Sequence, residues 1–262
     1  MYIAIDVGGT NIRIATSQSF LHPLLSTRVE YTLTHNFTTD YERMIKEMKN
    51  ISSNTESIGI SFPGDWTGNQ NKMSLPTHNS EWANKPFVKA ISSEFTCPVY
   101  IENDAVAGAL GTAQYGGIDG NFIYITWGTG IGGAQVARVG DTVIAEQLDW
   151  SLYLKRLEDA CGGANVNMKY GKTGDQLSEN EWQAIINDFA NELKIFIYQL
   201  HPTLVVVGGG IVTKQKARLM EIKSEFDSTQ NNGTKVSISI LGDDAGLYGA
   251  LELIRRAQTN ST

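Results

Sequence analysis

Tyr2 to Asp6 reads as a short β-rich run that breaks at Val7-Gly8-Gly9-Thr10-Asn11 and resumes through Ile12, Ile14 and Thr16. Two such runs on either side of a glycine turn predict a hairpin. Arg28 to Thr32 is expected to add a third strand. Tyr41, Met44, Ile45 and Met48 then fall at i, i+3, i+4 and i+7, and Thr39-Asp40-Tyr41-Glu42 spells a capping box, so a helix is predicted over about 39–50. Ser57 to Phe62 and Pro98 to Glu102 read as strands that run into polar or glycine-containing bends, and Ala105 to Gln114 as a helix.

The second half opens as the first does. Phe122 to Trp127 and Gly133 to Val139 are strands on the two sides of the Gly128–Gly133 turn. Ser178-Glu179-Asn180-Glu181 is a second capping box, and Trp182, Ile185, Ile186, Phe189, Leu193, Phe196, Ile197 and Leu200 line one face of a long helix that must stop before Pro202. Leu204 to Val207 is a strand entering Gly208-Gly209-Gly210. Val236, Ile238 and Ile240 alternate, and Leu247, Leu251 and Ile254 give the last helix an apolar face. Strands mixed with helices throughout predict an α/β fold, and 262 residues suit two lobes or one large domain.

Charge narrows the partners. Lys and Arg number 21 against 28 for Asp and Glu, a net charge of −7, which argues against nucleic acid, since phosphate contact relies on clustered positive charge. Cys97 and Cys161 stand far apart with no CxxC pair, and His22, His35, His78 and His201 are scattered, so neither a disulfide framework nor a structural zinc site is expected. The longest apolar stretch, Leu204 to Val212, holds three glycines and is far too short for a bilayer, and no basic run precedes Tyr2. A cytoplasmic protein without membrane partners is expected.

The glycine clusters are the candidate chemistry. Gly128-Thr129-Gly130-Ile131-Gly132-Gly133 formally satisfies G-x-G-x-x-G, but the residues after it alternate as a strand does, so the helix that a dinucleotide site requires is missing. Gly171-Lys172-Thr173 fails as a P-loop because Val166 stands where the first glycine belongs. A glycine hairpin has another use: its tip exposes backbone N–H groups to which a phosphate can come close. Asp6 to Asn11 and Gly128 to Gly133 both meet this description, each a tight turn by itself and together a clamp for a polyphosphate.

The ordered set of motifs resembles the ROK family of sugar kinases, bacterial glucokinase-like members of the actin, Hsp70 and hexokinase superfold. Asp6-Val7-Gly8-Gly9-Thr10-Asn11 resembles the family's first phosphate motif, Gly128 to Gly133 its second, and Val205-Val206-Val207-Gly208-Gly209-Gly210 its adenosine motif. Pro63-Gly64, Asn79-Ser80-Glu81-Trp82, Glu102-Asn103-Asp104-Ala105 and Ala245-Gly246-Leu247-Tyr248-Gly249-Ala250 match further landmarks. The resemblance implies a two-lobed actin-like (ribonuclease H-like) fold with a central cleft, one lobe being residues 1–103 with a C-terminal helix at 243–258 packed back, the other 104–242. It implies ATP and Mg²⁺, with Asp6, Gly8, Gly9, Thr10, Asn11, Gly128, Thr129, Gly130, Gly208, Gly209 and Gly210 around the nucleotide and Asp6 near the metal through water. Read by itself, Asp104 between a strand and a helix is a helix cap or a base in a cleft. The resemblance makes it the general base, with Asn103 and Asn79 on the sugar.

The sugar side departs from the family pattern. In place of Ala-Gly-Glu-x-Gly-His and a zinc-binding cysteine cluster, this chain has Ile144-Ala145-Glu146-Gln147-Leu148-Asp149, which keeps the Glu and substitutes Asp149 for the His. Glu158-Asp159-Ala160-Cys161-Gly162-Gly163 resembles the sugar-contacting Glu and Ser-Gly of zinc-free glucokinases, with Gly162 for the Ser. Glu146, Asp149 and Glu158 are thus the expected sugar ligands, no zinc is expected, and Leu152, Leu154 and Leu157 are expected to anchor the segment. The implied function is ATP-dependent phosphorylation of a hexose hydroxyl, on glucose or a related aldohexose. A sugar or nucleotide sensor with little turnover and a polyphosphate-dependent glucokinase are the alternatives. The family's repressors carry an N-terminal helix-turn-helix, whereas these residues open on a strand. The expected partners are a sugar and a nucleotide, with a homodimer left open.

Overall fold

The computed structural model describes residues 1–259 apart from 65, 68–71, 74–79, 221–222 and 224–232, with backbone alone at 66, 67, 72 and 73. The chain divides into two compact units, Met1–Tyr115 with Ala245–Thr262, and Gly116–Asp244.

In the first unit β1 (Tyr2–Val7), β2 (Asn11–Ser17) and β3 (Ser26–Thr32) form an antiparallel meander. Helix α1 (Phe37–Ile51) leads to β4 (Ser57–Phe62), which joins β1 in parallel. A short ribbon, β5 (Trp66–Thr67) with β6 (Lys72–Met73), and helix α2 (Phe87–Phe95) precede β7 (Val99–Asn103), parallel to β4. The sheet order is β3-β2-β1-β4-β7. Period-two alternation gives its faces different coverings. Ile3, Ile5, Ile12, Ile14, Ile58, Ile60 and Ile101 pack with Met44 and Met48 of α1 and Phe87 and Ile91 of α2, while Tyr2, Ala4 and Ala15 pack with Leu247, Ala250, Leu251 and Ile254 of the C-terminal helix.

Helix α3 (Asp104–Tyr115) lies against that C-terminal helix, Ala245–Thr259, at very close range. A Cβ on Gly249 would stand 2.0 Å from the Ala107 carbonyl oxygen, so only glycine admits this approach. The packing puts α3 in the first unit, and the division falls after Tyr115 instead of at the 103/104 boundary expected from the sequence. The start of α1 also differs from the expected capping box at Thr39. Asn36 is the cap, its side chain accepting the Thr39 N–H at 3.1 Å. Asp40 is drawn away instead, buried and accepting from the Thr34 N–H and hydroxyl, both at 2.9 Å.

The second unit repeats the topology. Strands β8 (Phe122–Trp127), β9 (Ile131–Val139) and β10 (Thr142–Gln147) are antiparallel, and β11 (Leu204–Gly208) and β12 (Lys235–Ile238) add in parallel in the order β10-β9-β8-β11-β12. A π-helical turn, Trp150–Leu154, leads into α4 (Lys155–Cys161) and α5 (Gly163–Tyr170), followed by α6 (Glu179–Leu200), α7 (Gly210–Lys214) and the C-terminal helix, α8 (Ala245–Thr259). The Ser178–Glu181 capping box opens α6 as expected, and His201 ends it in the left-handed region. Residues 182 to 197 of α6 fill the core, with Phe189 stacked on Trp127 at 4.1 Å.

Three expectations change here. Glu146 lies on β10, an edge strand that the sequence did not announce. Ile240 falls beyond the end of β12 and is exposed. Of the three expected leucine anchors, Leu154 and Leu157 are buried but Leu152 is 66% exposed, because the π-helical turn directs it outward. Among the described residues, no helix is long and apolar enough to cross a membrane.

Candidate functional site

Strand register in the first unit assembles a polar row. Asp6 on β1 pairs with Arg13 on β2 and Ser61 on β4; Arg13 pairs with Glu30 on β3, and Ser61 with Glu102 on β7. In-register neighbours share a face, so five polar side chains cross the sheet beside the ends of the parallel strands. Ser61 Oγ donates to Asp6 Oδ1 at 2.7 Å, and the Arg13 guanidinium stands 3.6 Å from Asp6 Oδ2 and 3.9 Å from Glu30. Asp6 is only 14% exposed, and a Cβ on Gly246 would fall 2.2 Å from its carboxylate. Burial pushes the Glu102 carboxyl above its ordinary 4.5, opposed in part by the Asn103 N–H that it accepts at 2.8 Å. The sequence motifs contained Asp6 and Glu102 but missed Arg13, Glu30 and Ser61 as their neighbours.

At the end of β7 the capping role falls to Asn103. Its Oδ1 accepts the N–H groups of Ala105 (2.9 Å) and Val106 (3.2 Å), and its Nδ2 donates to the Gly64 carbonyl at 3.2 Å. The side chain is 5% exposed, with both polar atoms used by the fold. Asp104 is the first residue of α3, half-buried, with Oδ1 accepting the Ala105 N–H at 2.9 Å. An acid there is favoured as an anion by the helix N-terminus. Asn79 lies outside the described residues, and Trp82 is fully buried beside Phe62 and Phe87.

Both glycine turns link antiparallel strands, with different supports. In the first, Gly8 N–H donates to Asn11 O at 2.8 Å, Leu33 N–H to Thr10 O at 2.8 Å, and Asn11 Nδ2 to Glu30 at 2.8 Å. In the second, Gly128 N–H donates to Gly130 O at 3.0 Å, and residues of α4 and of the start of α5 hold the outside. Gly163 N–H donates to Gly128 O (3.0 Å), Ala164 N–H to Thr129 O (2.8 Å), and Ile131 N–H to Glu158 Oε2 (2.7 Å). Glu158 thus bonds the glycine turn directly, a contact that the sequence did not announce.

Gly208, Gly209 and Gly210 end β11 and begin α7. A Cβ on Gly208 would meet the Tyr124 hydroxyl at 2.5 Å, and one on Gly209, at φ 100°, the Trp127 carbonyl at 2.6 Å. The first two glycines are therefore required by the packing of this unit itself. Glu146 and Asp149 are both exposed. Asp149 caps the π-helical turn, accepting from Ser151 Oγ (2.7 Å) and Leu152 N–H (3.1 Å), and the Ser151 bond followed by the Leu152 bond holds its carboxyl below the usual range.

Among the described residues, no three His, Cys, Asp or Glu side chains gather as a metal cage. Magnesium needs none, since it is commonly held by one or two carboxylates together with substrate phosphates. Asp6, oriented by Ser61, suits that requirement.

Two units of one topology, each with three antiparallel strands followed by two parallel ones, define the two-lobed actin-like class of α/β proteins. Within that class the chain belongs to the ROK family, whose profile matches residues 2–139. It is 25% identical to the glucokinase of Halalkalibacterium halodurans, over 99% of this chain and 96% of the relative. The structure of a ROK family glucokinase from Streptomyces griseus in complex with glucose and AMPPNP superposes with a TM-score of 0.77 at 17% identity, over 97% of this chain and 99% of that one. The inorganic polyphosphate/ATP-glucomannokinase of Arthrobacter sp. strain KM superposes with a TM-score of 0.72 at 22% identity, over 98% of each chain.

Proposed function

We propose that this chain is a sugar kinase that transfers the terminal phosphoryl group of ATP to a hydroxyl of a hexose, glucose or a related aldohexose. Asp104 takes the proton from the attacking hydroxyl. The observation that carries this reading is the β7–α3 junction, where Asn103 takes the cap bonds to Ala105 and Val106 and Asp104, sharing the Ala105 N–H, stands half-buried as the first residue of α3 at the end of a parallel strand. Phosphoryl transfer depends on positioning and charge neutralisation more than on covalent help. The backbone N–H groups at the tips of the two glycine turns, other than those of Gly8 and Gly128, which bond Asn11 O and Gly130 O within the turns, are the donors offered to phosphate oxygens, and the Gly208–Gly210 turn is offered to the adenosine. Asp6 would hold magnesium, which when bound neutralises phosphate charge.

A sensor with little turnover is the second reading. It is favoured by Asn103 and Glu158, two expected sugar ligands whose side chains bond the fold itself. A coupled assay of glucose, mannose, fructose and N-acetylated hexoses, each with ATP and with polyphosphate, separates the two. Turnover with an aldohexose and ATP supports the kinase. Sugar binding without turnover on either donor supports the sensor, and turnover with polyphosphate alone moves the donor assignment.

A further inference from the structure

We propose that the junction of α4 and α5 sets the geometry of the Gly128–Gly130 turn, with Glu158 as its positioning residue and Gly163 as its close-contact point. The proposal rests on the reading of that turn as a phosphate cradle. Its starting point is the direction of two carbonyls. Those of Gly128 and Thr129 both accept N–H groups from the first residues of α5, Gly163 at 3.0 Å and Ala164 at 2.8 Å. In a trans peptide the carbonyl and the N–H of one plane point in opposite directions, and no peptide bond among the described residues is cis. With these carbonyls drawn toward α5, the N–H groups of Thr129 and Gly130 are turned to the opposite side. Two successive N–H groups aimed the same way make a concavity suited to an anion.

Glu158 fixes the next peptide. Its Oε2 accepts the Ile131 N–H at 2.7 Å, a bond across 27 positions of sequence that ties the end of the turn to α4. The backbone of Glu158 is itself held, its carbonyl accepting from Gly162 N–H at 2.8 Å and Asn165 Nδ2 at 2.7 Å. A glycine turn has many low-energy conformations, so a support from outside must select one. Gly163 makes this support possible: a Cβ there would lie 2.8 Å from Gly128 O and 3.3 Å from Thr129 Cα, forcing α5 and the turn apart. Gly163 is thus explained without any ligand touching it.

The test compares the whole chain with Glu158→Gln, Glu158→Leu and Gly163→Ala. Amide hydrogen exchange is followed at Ile131, and the Kd of a non-hydrolysable ATP analogue is measured calorimetrically without sugar. Gln keeps an acceptor oxygen and should leave the Ile131 amide protected and the Kd within about threefold. Leu leaves that N–H without its acceptor, so exchange at Ile131 and the nucleotide Kd should each rise roughly tenfold or more, the usual worth of a hydrogen bond to a charged group. Gly163→Ala, which removes no polar group, should raise the Kd similarly and carries the test if Glu158→Leu does not fold. Unchanged Ile131 protection in Glu158→Leu, equal losses in the Gln and Leu variants, or an unchanged Kd in Gly163→Ala would overturn the proposal. A wild-type chain that binds no nucleotide overturns the kinase reading and the donor role of the turn with it, a result distinct from any of these.

Discussion

The first sheet carries Arg13, Asp6 and Ser61 side by side on β2, β1 and β4, where the second carries Gly132, Thr126 and Gly208 on β9, β8 and β11. The backbone path is the same in both units, yet one level of the sheet is charged in the first and nearly stripped of side chains in the second. The supports of the two turns differ in the same sense. The first turn is tied to neighbouring residues of the β3 edge, through Leu33 and Glu30, whereas the second is held by backbone and carboxylate from a helical junction. One topology therefore carries two different levels, a row of charged and polar side chains in one unit and two glycines flanking a threonine in the other. The difference lies in which Cβ atoms are present as much as in which functional groups are.

The sharpest way to break this division is Asp104→Asn in the charged unit. Turnover should fall by roughly two to four orders of magnitude, the usual worth of a positioned base, while the nucleotide Kd stays unchanged. Steady-state kinetics with the best sugar, beside calorimetry, checks it, and near-normal turnover would remove Asp104 from the mechanism. The matching change in the stripped unit is Gly209→Ala. Gly209 sits at φ 100° and ψ 173°, so the backbone strain alone should cost roughly 1–3 kcal/mol, with the clash at Trp127 O added. Chemical denaturation measures this, and an unchanged midpoint would mean that the turn relaxes at no cost.

Two smaller effects sharpen the comparison. Ser178→Ala removes the cap of α6 and should cost the second unit about 1 kcal/mol in denaturation, with the first unit untouched. Glu102→Gln probes the charged row through pH. The folded pKa of Glu102 is raised by burial, so its contribution to stability is present below about pH 4.5 and is lost as pH rises through the folded value. The Gln variant should therefore gain in Tm relative to the wild type as pH rises above about 4.5, by less than any effect above. A difference that stays flat across that range would show that the carboxyl titrates as it does in the unfolded chain.

Some features were legible in sequence because their causes are local. The hairpins of β1–β2 and β8–β9 follow from period-two runs around glycine, and the start of α6 from Ser178 and Glu181 three residues apart. The start of α1 was misread because Thr39 and Glu42 satisfy the same local rule, while the competing bonds to Asp40 come from Thr34, outside that window. Strand β10 was missed because it is an edge strand with only Val143 buried, so its sequence has no apolar alternation to read. Leu152 belongs to a π-helical turn, whose wider period places it on the exposed side.

The α/β class, the position of both glycine turns and the presence of Asp6, Asn103 and Asp104 near strand ends could be read from the order of residues, because each rests on the spacing of neighbours along the chain. That Asp6 meets Ser61 and Arg13 and that Glu158 reaches Ile131 came from the folded arrangement alone. These contacts join residues from 7 to 55 positions apart through sheet register and helix junction. A hydrogen bond is made by atoms within about 3 Å of each other, and which atoms come that close is fixed by how strands align and helices pack, not by their order in the chain.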